Sequence, residues 1–376
     1  LFMGIGGSVL YSLEKGRREN GCCNEFFSTA LLGTAALAAI AWTGIVFFGE
    51  PLLRLFGAEQ TLLPLTKAYL FPIKIVIPVF VFNQMLAAFL RNDNAPGLAT
   101  AAVLGGGIFN VFGDYFFVFA MDMGILGAGL ATAAGACITL LIMLTHFFSK
   151  RCTLKFVSIH YLFIKVKGIL TTGFSTFFVD LAVGIMTMLF NRQIVRYLGT
   201  DALSVYGLIV NISMFVQCCA YSVGQASQPI FSINYGAEHW GRMKETLKYA
   251  LGTVAFFGIF WTTLVVLVPN GFVRIFMKPT EEVLQIAPSI MRCYGISFLL
   301  LPLNIFSTYY FQSLMKPAAS FVVSVGRGLV ISGALIMLLP TVAKADFIWF
   351  SMPVTEIVIA VFVIYMMVRY TKRLAK

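Results

Sequence analysis

The feature that most constrains this chain is a series of apolar stretches, most of them twenty or more residues long, that recur along its whole length. An α-helix rises about 1.5 Å per residue, so about 20 apolar residues cross the roughly 30 Å hydrocarbon layer of a bilayer. With 11% charged residues, the chain lies far below the soluble average of about 25%. The sequence therefore predicts an all-α polytopic membrane protein.

We predict eleven membrane segments, the first incomplete because the sequence starts inside an apolar run without an initiator methionine or signal peptide. Lys and Arg collect in the connections, seventeen on one side and nine on the other. The positive-inside rule places the side with more Lys and Arg, which includes the carboxyl terminus, in the cytoplasm. We expect the protein in the plasma membrane. The segments are 1–13, 26–48, 67–90, 97–120, 124–148, 169–194, 202–233, 247–268, 282–311, 318–340 and 347–369.

The net charge of +11 does not indicate a nucleic-acid partner. Its basic residues lie in connections, and no basic helix carries interleaved aromatic side chains. The seven cysteines lack C-x-x-C spacing, so neither a disulfide framework nor a structural metal site is expected. His146, His160 and His239 fall at segment edges or in connections, where we expect solvated surface side chains.

The longest cytoplasmic connection, residues 149–168, separates two halves that repeat each other. Glycine, serine, asparagine and proline landmarks recur after a shift of 220 or 221 residues: Gly4/Gly224, Ser12/Ser232, Gly16/Gly236, Asn83/Asn304, Pro96/Pro317, Gly105/Gly326 and Gly107/Gly328. Such a period predicts two duplicated six-helix bundles in one orientation. We expect an amino-terminal lobe at 1–148 that lacks its first helix and part of its second, a linker at 149–168 and a carboxyl-terminal lobe at 169–376.

One carboxylate, Asp114, lies inside the fourth apolar segment, where a charge costs about 2.5–3.5 kcal/mol on insertion scales. Asn110 precedes it by one helical turn, so the acid and the amide share a helix face. Desolvation favours the protonated form of a carboxylate, so a proton is one ion that we expect Asp114 to exchange. The Asn110 oxygen also suits Na⁺. We expect the two residues to bind a coupling ion, H⁺ or Na⁺; the alternative is a structural hydrogen bond between them.

Three further features of the segments are candidates for function. Asp180 and Glu356 lie deep in theirs and are predicted to bind a cationic substrate or a second ion. The alternative for Glu356 is an ion pair with Arg327, a basic residue inside the neighbouring segment. Pro72 and Pro78 interrupt the third segment. Since prolines free backbone carbonyls and kink membrane helices, they are hinge candidates, with a static kink as the alternative.

Longer stretches carry a family resemblance. GQASQPIFSINYGAEHWGRMKETLKYAL, residues 224–251, and its weaker copy GIGGSVLYSLEKGRREN, residues 4–20, resemble the helix-end motif of the MATE family, the multidrug and toxic compound extrusion transporters. Residues 91–135 are similar to the family's fifth and sixth helices. In the family, an Asn and an Asp four residues apart on the fifth helix bind the cation, and Asn110 and Asp114 match them. The family's partner aspartate, on its first helix, is not in this sequence.

The resemblance implies two six-helix lobes in a V around a central cavity. It also implies export of organic cations, driven by inward movement of H⁺ or Na⁺, with alternating access between the lobes. The substrates would be small and amphipathic. We expect a monomer that needs no cofactor beyond the coupling ion.

The intramembrane polar groups are sparse and mostly acidic, and they favour a cation-coupled exporter over two other functions. A flippase or exporter of lipid-linked or polysaccharide precursors can share a two-lobed architecture, but it should carry several cavity arginines for phosphate. Only Lys74 and Arg327 are candidates here. A membrane-embedded enzyme needs a nucleophile with a base or a metal cluster, and no such arrangement lies in the predicted segments. The sequence therefore predicts a multidrug antiporter and not an enzyme.

Overall fold

The computed structural model describes residues 2–17, 22–55, 60 and 63–373. Within these ranges, ten helical stretches are long and apolar enough to cross a membrane, and the described residues contain no strand. Each of the ten overlaps one of the ten complete segments predicted from the sequence. The incomplete first segment is also helical, as a π-helical turn Phe2–Gly6 followed by Gly7–Arg17. The predicted all-α polytopic fold is confirmed.

The chain divides into two compact units, unit 1 (Leu1–Gly173) and unit 2 (Phe174–Lys376). The helices of unit 1 are α1 (Gly7–Arg17), α2 (Cys22–Leu55), α3 (Leu63–Asn92), α4 (Pro96–Asp114) and α5 (Gly124–Leu144). A π-helical segment, Tyr115–Ala120, continues α4, and a 3₁₀ turn, Thr145–Phe148, ends α5. Helix α6 (Leu162–Tyr197) begins in unit 1 and ends in unit 2.

Unit 2 continues with α7 (Thr200–Gly236), α8 (Trp240–Leu267), α9 (Pro269–Phe276), α10 (Glu281–Gly295), α11 (Leu301–Ser313), α12 (Pro317–Val325), α13 (Ile331–Val342) and α14 (Ser351–Arg373). A 3₁₀ turn joins α10 to α11, and a π-helical segment, Gly326–Val330, joins α12 to α13. Sequence reasoning did not predict α9, because eight residues are too few to form an apolar run of membrane length.

The internal repeat has structural counterparts. Helix α2 has one non-helical residue, Phe48 (φ −113°, ψ 18°). A shift of 220 leads to Val268 (φ −125°, ψ 48°), where α8 gives way to α9. The repeated asparagines also make equivalent bonds. The Asn83 side chain donates to the Ala136 carbonyl oxygen at 2.8 Å, and the Asn304 side chain donates to that of Glu356 at 2.9 Å. The two units therefore share a helix-packing plan.

The linker between the predicted lobes is docked on unit 1. Residues 152–159 lie outside the helices, and four backbone N–H groups of the linker donate to side chains near the start of α2 and just after the end of α3. Thr153 donates to Asp93 at 2.9 Å, Lys155 to Asn24 at 3.0 Å, Val157 to Ser28 at 2.9 Å and His160 to Glu25 at 2.8 Å. Buried or half-buried backbone donors need such partners. The linker is thus a fixed part of unit 1.

Candidate ion and substrate sites

Asp114 is the last residue of α4 and directly precedes the π-helical segment Tyr115–Ala120. π-Helical turns are rare and are frequent at functional sites. The side chain is half-buried, and its Oδ1 atom is buried without a hydrogen-bond partner among the described residues. An unpaired carboxylate oxygen in the apolar part of a helix bundle is costly unless a proton or cation completes it.

The amide of Asn110 is held by a residue that the sequence did not single out. Its Nδ2 donates to the hydroxyl of Thr132 on α5 at 3.2 Å, and Thr132 in turn donates to the Ala128 carbonyl oxygen at 3.0 Å. Because the nitrogen of the amide is used in this way, its carbonyl oxygen is left to accept. The Asn110–Thr132 bond therefore orients an acceptor on the same helix face as Asp114.

Small residues bring α4 and α5 close enough for this bond. A Cβ atom added to Gly135 would lie 2.7 Å from the Gly106 carbonyl oxygen and 3.3 Å from the Asn110 Cβ. One added to Gly113 would lie 3.1 Å from the Ala131 Cβ. The two helices leave and enter a short turn at residues 121–123. Residues at similar distances from that turn face each other, and this is the signal in the sequence that could have paired Asn110 with Thr132.

In unit 2, Asp180 is exposed, and its Oδ1 accepts a hydrogen bond from the Tyr221 hydroxyl at 3.4 Å. No described residue makes an ion pair with it. Its role in binding a substrate or a second ion stays a prediction.

Glu356 is fully buried and forms the ion pair with Arg327 that the sequence offered as its alternative role. The Arg327 Nε donates to the Glu356 Oε1 at 2.7 Å, and the Asn304 side chain donates to Oε2 at 2.6 Å. The ion pair is confirmed. A direct role for Glu356 in ion or substrate binding stays a prediction that this geometry does not favour, since both carboxylate oxygens are taken.

The hinge candidates Pro72 and Pro78 lie inside α3, which continues from Leu63 to Asn92 through both prolines. Pro72 is buried, and a Cβ atom on Gly129 of α5 would lie 2.7 Å from its ring. The first proline is therefore packed against α5. A hinge at these residues stays a prediction.

The expectation of a solvated surface was wrong for His146, which is buried at 3% exposure. Its Nε2 donates to Asp93 Oδ2 at 2.8 Å. The other donors to Asp93 are Tyr11 and Lys15, each at 3.1 Å, and both the backbone and the hydroxyl of Thr153. Sequence reasoning missed this hub because its members are up to 142 residues apart. The one sign of the hub within a short stretch of sequence was Asp93 itself, a carboxylate in the turn after an apolar segment.

Burial alone would raise the pKa of Asp93, but the hydrogen bonds from Thr153 and His146 and the charge of Lys15 outweigh it and hold the pKa below its usual value. Asp93, His146 and Cys152 also place atoms of metal-ligand type within 4.8 Å of one another. However, both Asp93 oxygens already accept from protein donors, one of them His146 itself. The cluster is therefore a hydrogen-bond hub that joins α1, α3, α5 and the linker.

Repeated helical units with an unpaired carboxylate in an apolar helix are typical of secondary membrane transporters. The MatE family model matches residues 1–116 and 175–336, well over half of the chain. The chain therefore belongs to the MatE family, as its resemblance to the MATE transporters implied. It is a multi-pass transporter of the drug-efflux class and not an enzyme, and transporters of this family need no cofactor.

Relatives and solved structures agree with this assignment. The multidrug export protein MepA of Staphylococcus saprophyticus is 23% identical over 363 residues, which cover 95% of this chain and 79% of that protein. An outward-facing multidrug resistance MATE family transporter of the MOP superfamily has a TM-score of 0.91 and 18% identity, covering 100% of this chain and 84% of that chain. The MATE multidrug transporter DinF-BH in complex with R6G has a TM-score of 0.86 and 26% identity, covering 98% and 83%.

Proposed function

We propose that this protein exports small amphipathic organic cations in exchange for H⁺ or Na⁺, with alternating access between its two lobes. It acts as a monomer in the plasma membrane, with its carboxyl terminus in the cytoplasm. The relative MepA is named a multidrug export protein, and the related DinF-BH was solved with R6G, which supports a drug-like substrate. The excess of Lys and Arg in the connections on one side supports the orientation.

The observation that carries the proposal is the Oδ1 atom of Asp114, a buried acceptor to which no described residue donates. Structural carboxylates in apolar surroundings are held by donors, as those of Glu356 and Asp93 are in this chain. An acid whose oxygen is left unpaired is stable when a proton or a cation occupies it and costly when it is empty. Loading and unloading of that position can therefore drive a change of state.

The neighbours of Asp114 fit either ion. Asn110 supplies a neutral carbonyl oxygen one helical turn away, and its amide is oriented by Thr132. A carboxylate with neutral oxygen ligands is a set that Na⁺ accepts, and the carboxylate alone suffices for a proton. In both cases ion entry neutralises Asp114 and removes the charge that would attract a cationic substrate. Exchange of one cation for the other follows from this competition.

The test is Asp114→Asn in the transporter reconstituted into proteoliposomes, with efflux of ethidium, a fluorescent organic cation, as the readout. We expect gradient-driven efflux to be lost, because the amide can neither ionise nor carry charge, and the melting temperature to be kept. Asp122→Asn is the matched control. Asp122 is an exposed carboxylate in the adjacent turn, with a positive φ of 52° that asparagine tolerates well. The control should transport like the parent.

The same preparation identifies the ion. Efflux that follows an imposed pH gradient without sodium indicates H⁺, and efflux that needs a sodium gradient at constant pH indicates Na⁺. Parent efflux that is indifferent to both gradients, or full transport by Asp114→Asn, would contradict the proposal.

A further inference from the structure

Arg327 lies in the π-helical segment between α12 and α13, and the residue is 8% exposed. A buried charge inside a membrane segment needs a reason to be there. The ion pair with Glu356 neutralises the charge, but it uses one of the five N–H donors of the guanidinium, the one on Nε. No described residue accepts from the two terminal amino groups.

Arg327 borders a cavity. Arg327 lines a space of about 210 Å³ inside unit 2, between α6, α7 and the segments that follow α10. Three of its lining side chains are aromatic. The rings of Phe190 and Tyr206 stack at 4.9 Å between centroids, and Tyr294 lies 6.4 Å from Tyr206. Methionines such as Met186 and Met214 complete it, and their flexible thioethers adapt to flat molecules. The wall suits an aromatic ring.

Both carboxylate oxygens of Glu356, the acidic partner of Arg327, already accept hydrogen bonds. The Glu356 carboxylate accepts from Arg327 through one oxygen and from Asn304 through the other, and it is 0% exposed. It does not line the cavity, whereas Arg327 does. A ligand in the cavity therefore meets Arg327 and not Glu356. Two parallel guanidinium N–H groups match the two oxygens of a carboxylate.

We propose that this cavity in unit 2 binds the carboxylate end of planar aromatic molecules, with Arg327 as the ligand of the carboxylate and Glu356 as the positioning residue that fixes Arg327. The space is smaller than the roughly 300–1,000 Å³ of drug sites, so it holds one end of a drug-sized substrate. The ion pair has no net charge, so a zwitterion adds none to the cavity. The proposal rests on the proposed export function and assigns to Arg327 the subsite that holds the carboxylate of an aromatic substrate.

The test is equilibrium binding, without any ion gradient, of three probes with one ring system: 2-naphthoate, neutral 2-naphthamide and 2-naphthylmethylammonium. Saturation-transfer NMR on the purified full chain in nanodiscs gives the affinities. We expect 2-naphthoate to bind most tightly, 2-naphthamide less tightly and 2-naphthylmethylammonium most weakly. The double variant Arg327→Met with Glu356→Gln removes both charges, a change that is often neutral for stability. It should weaken the binding of 2-naphthoate by about tenfold and leave the affinity for 2-naphthylmethylammonium unchanged.

Two single variants keep the test decisive if the double variant fails to fold. In Arg327→Lys the one ammonium pairs with Glu356, so naphthoate should weaken as in the double variant. In Glu356→Gln the guanidinium keeps an acceptor for Nε and loses a competing anion, so naphthoate should bind at least as tightly as in the parent. Asp114→Asn should keep the parent's binding order while losing efflux, which separates this site from the coupling ion. Unchanged naphthoate affinity in the Arg327 variants, or a loss in Glu356→Gln equal to theirs, would overturn the proposal.

Discussion

At the scale of single residues, Asp93 and Asp114 show how surroundings decide what a carboxylate does. Both lie in unit 1, Asp93 in the turn after α3 and Asp114 at the end of α4. Asp93 accepts from four residues and is completely buried. Asp114 keeps a buried oxygen without a donor. A satisfied carboxylate stabilises a structure, whereas an unsatisfied one is available for exchange.

Asp93→Asn should release the linker from unit 1. The folded pKa of Asp93 lies below that of an unfolded aspartate, about 3.9. Its contribution to stability is therefore fully present above pH 4 or so and is lost as the pH falls through the folded value. Loss of one charged hydrogen bond costs about 1.5–3 kcal/mol. We expect faster amide hydrogen exchange at residues 153–160 in the variant throughout pH 5–8, measured by mass spectrometry.

In the parent, the same amides should show no protection change over that pH range beyond the intrinsic exchange rate. Asp122→Asn serves as the control, because this carboxylate is exposed. Equal protection of the linker in Asp93→Asn and the parent would show that Asp93 does not hold it.

The sequence predicted part of the ion site and little of its support. Asp114 and Asn110 could be found because a charge in an apolar run is conspicuous and one helical turn is a fixed spacing. Thr132 was not singled out, since threonine is common in apolar helices and its partner lies on another helix; its distance from the turn at 121–123 was the only signal. Asp93 and His146 were missed for the same reason. Contacts between distant parts of the chain have no period that a single sequence displays.

At the scale of helices, close packing of α4 on α5 depends on which glycine of a run faces the partner. The sequence shows Gly105, Gly106 and Gly107 side by side. A Cβ atom on Gly106 would lie 1.9 Å from the Thr139 hydroxyl and 2.5 Å from the Gly135 carbonyl oxygen, whereas one on Gly107 would meet nothing within 4 Å. The helix itself could be predicted from apolar length, but its rotation against α5 could not.

This contrast gives a matched pair of substitutions. Gly106→Ala should lower the melting temperature of the detergent-solubilised protein, because overpacking costs about 1–3 kcal/mol. It should also weaken ion coupling, since α5 carries Thr132. Gly107→Ala should leave both unchanged or raise the melting temperature slightly, because alanine favours a helix over glycine by about 1 kcal/mol. Equal effects of the two substitutions would mean that the helices do not touch at Gly106.

At the scale of the whole chain, the two units share a packing plan but not their charges. The shifts of 220 and 221 residues that align the repeats carry the residues of the ion site onto apolar ones. The pairs are Asn110/Ile331, Asp114/Leu335 and Thr132/Met352. They also carry small residues of unit 1 onto the ion pair of unit 2, as Gly106/Arg327 and Ala136/Glu356. The acid of unit 1 at Asp114 and the ion pair of unit 2 at Arg327 and Glu356 therefore lie at different positions of the repeat.

An aspartate at position 335, which corresponds to Asp114 in the repeat, should not restore transport to the Asp114→Asn variant. In Leu335→Asp combined with Asp114→Asn, the new carboxylate would have Ile331 at the position of Asn110 and Met352 at the position of Thr132, so it lacks the polar neighbours of the original site. We expect ethidium efflux in proteoliposomes to stay at the level of Asp114→Asn. Recovery of gradient-driven efflux in the double variant would show that a carboxylate at either repeat suffices.

The ion pair of unit 2 also restricts how the two repeats diverged. Unit 1 has the small residues Gly106 and Ala136 at the positions of Arg327 and Glu356. If the common ancestor had small residues there too, an evolutionary intermediate carried either the arginine or the glutamate alone. A lone arginine stays charged in the membrane, whereas a lone glutamate can remain protonated and neutral. Asn304 would already have been in place to bond it, as its repeat Asn83 bonds Ala136. The less costly order of descent is therefore glutamate first and arginine second.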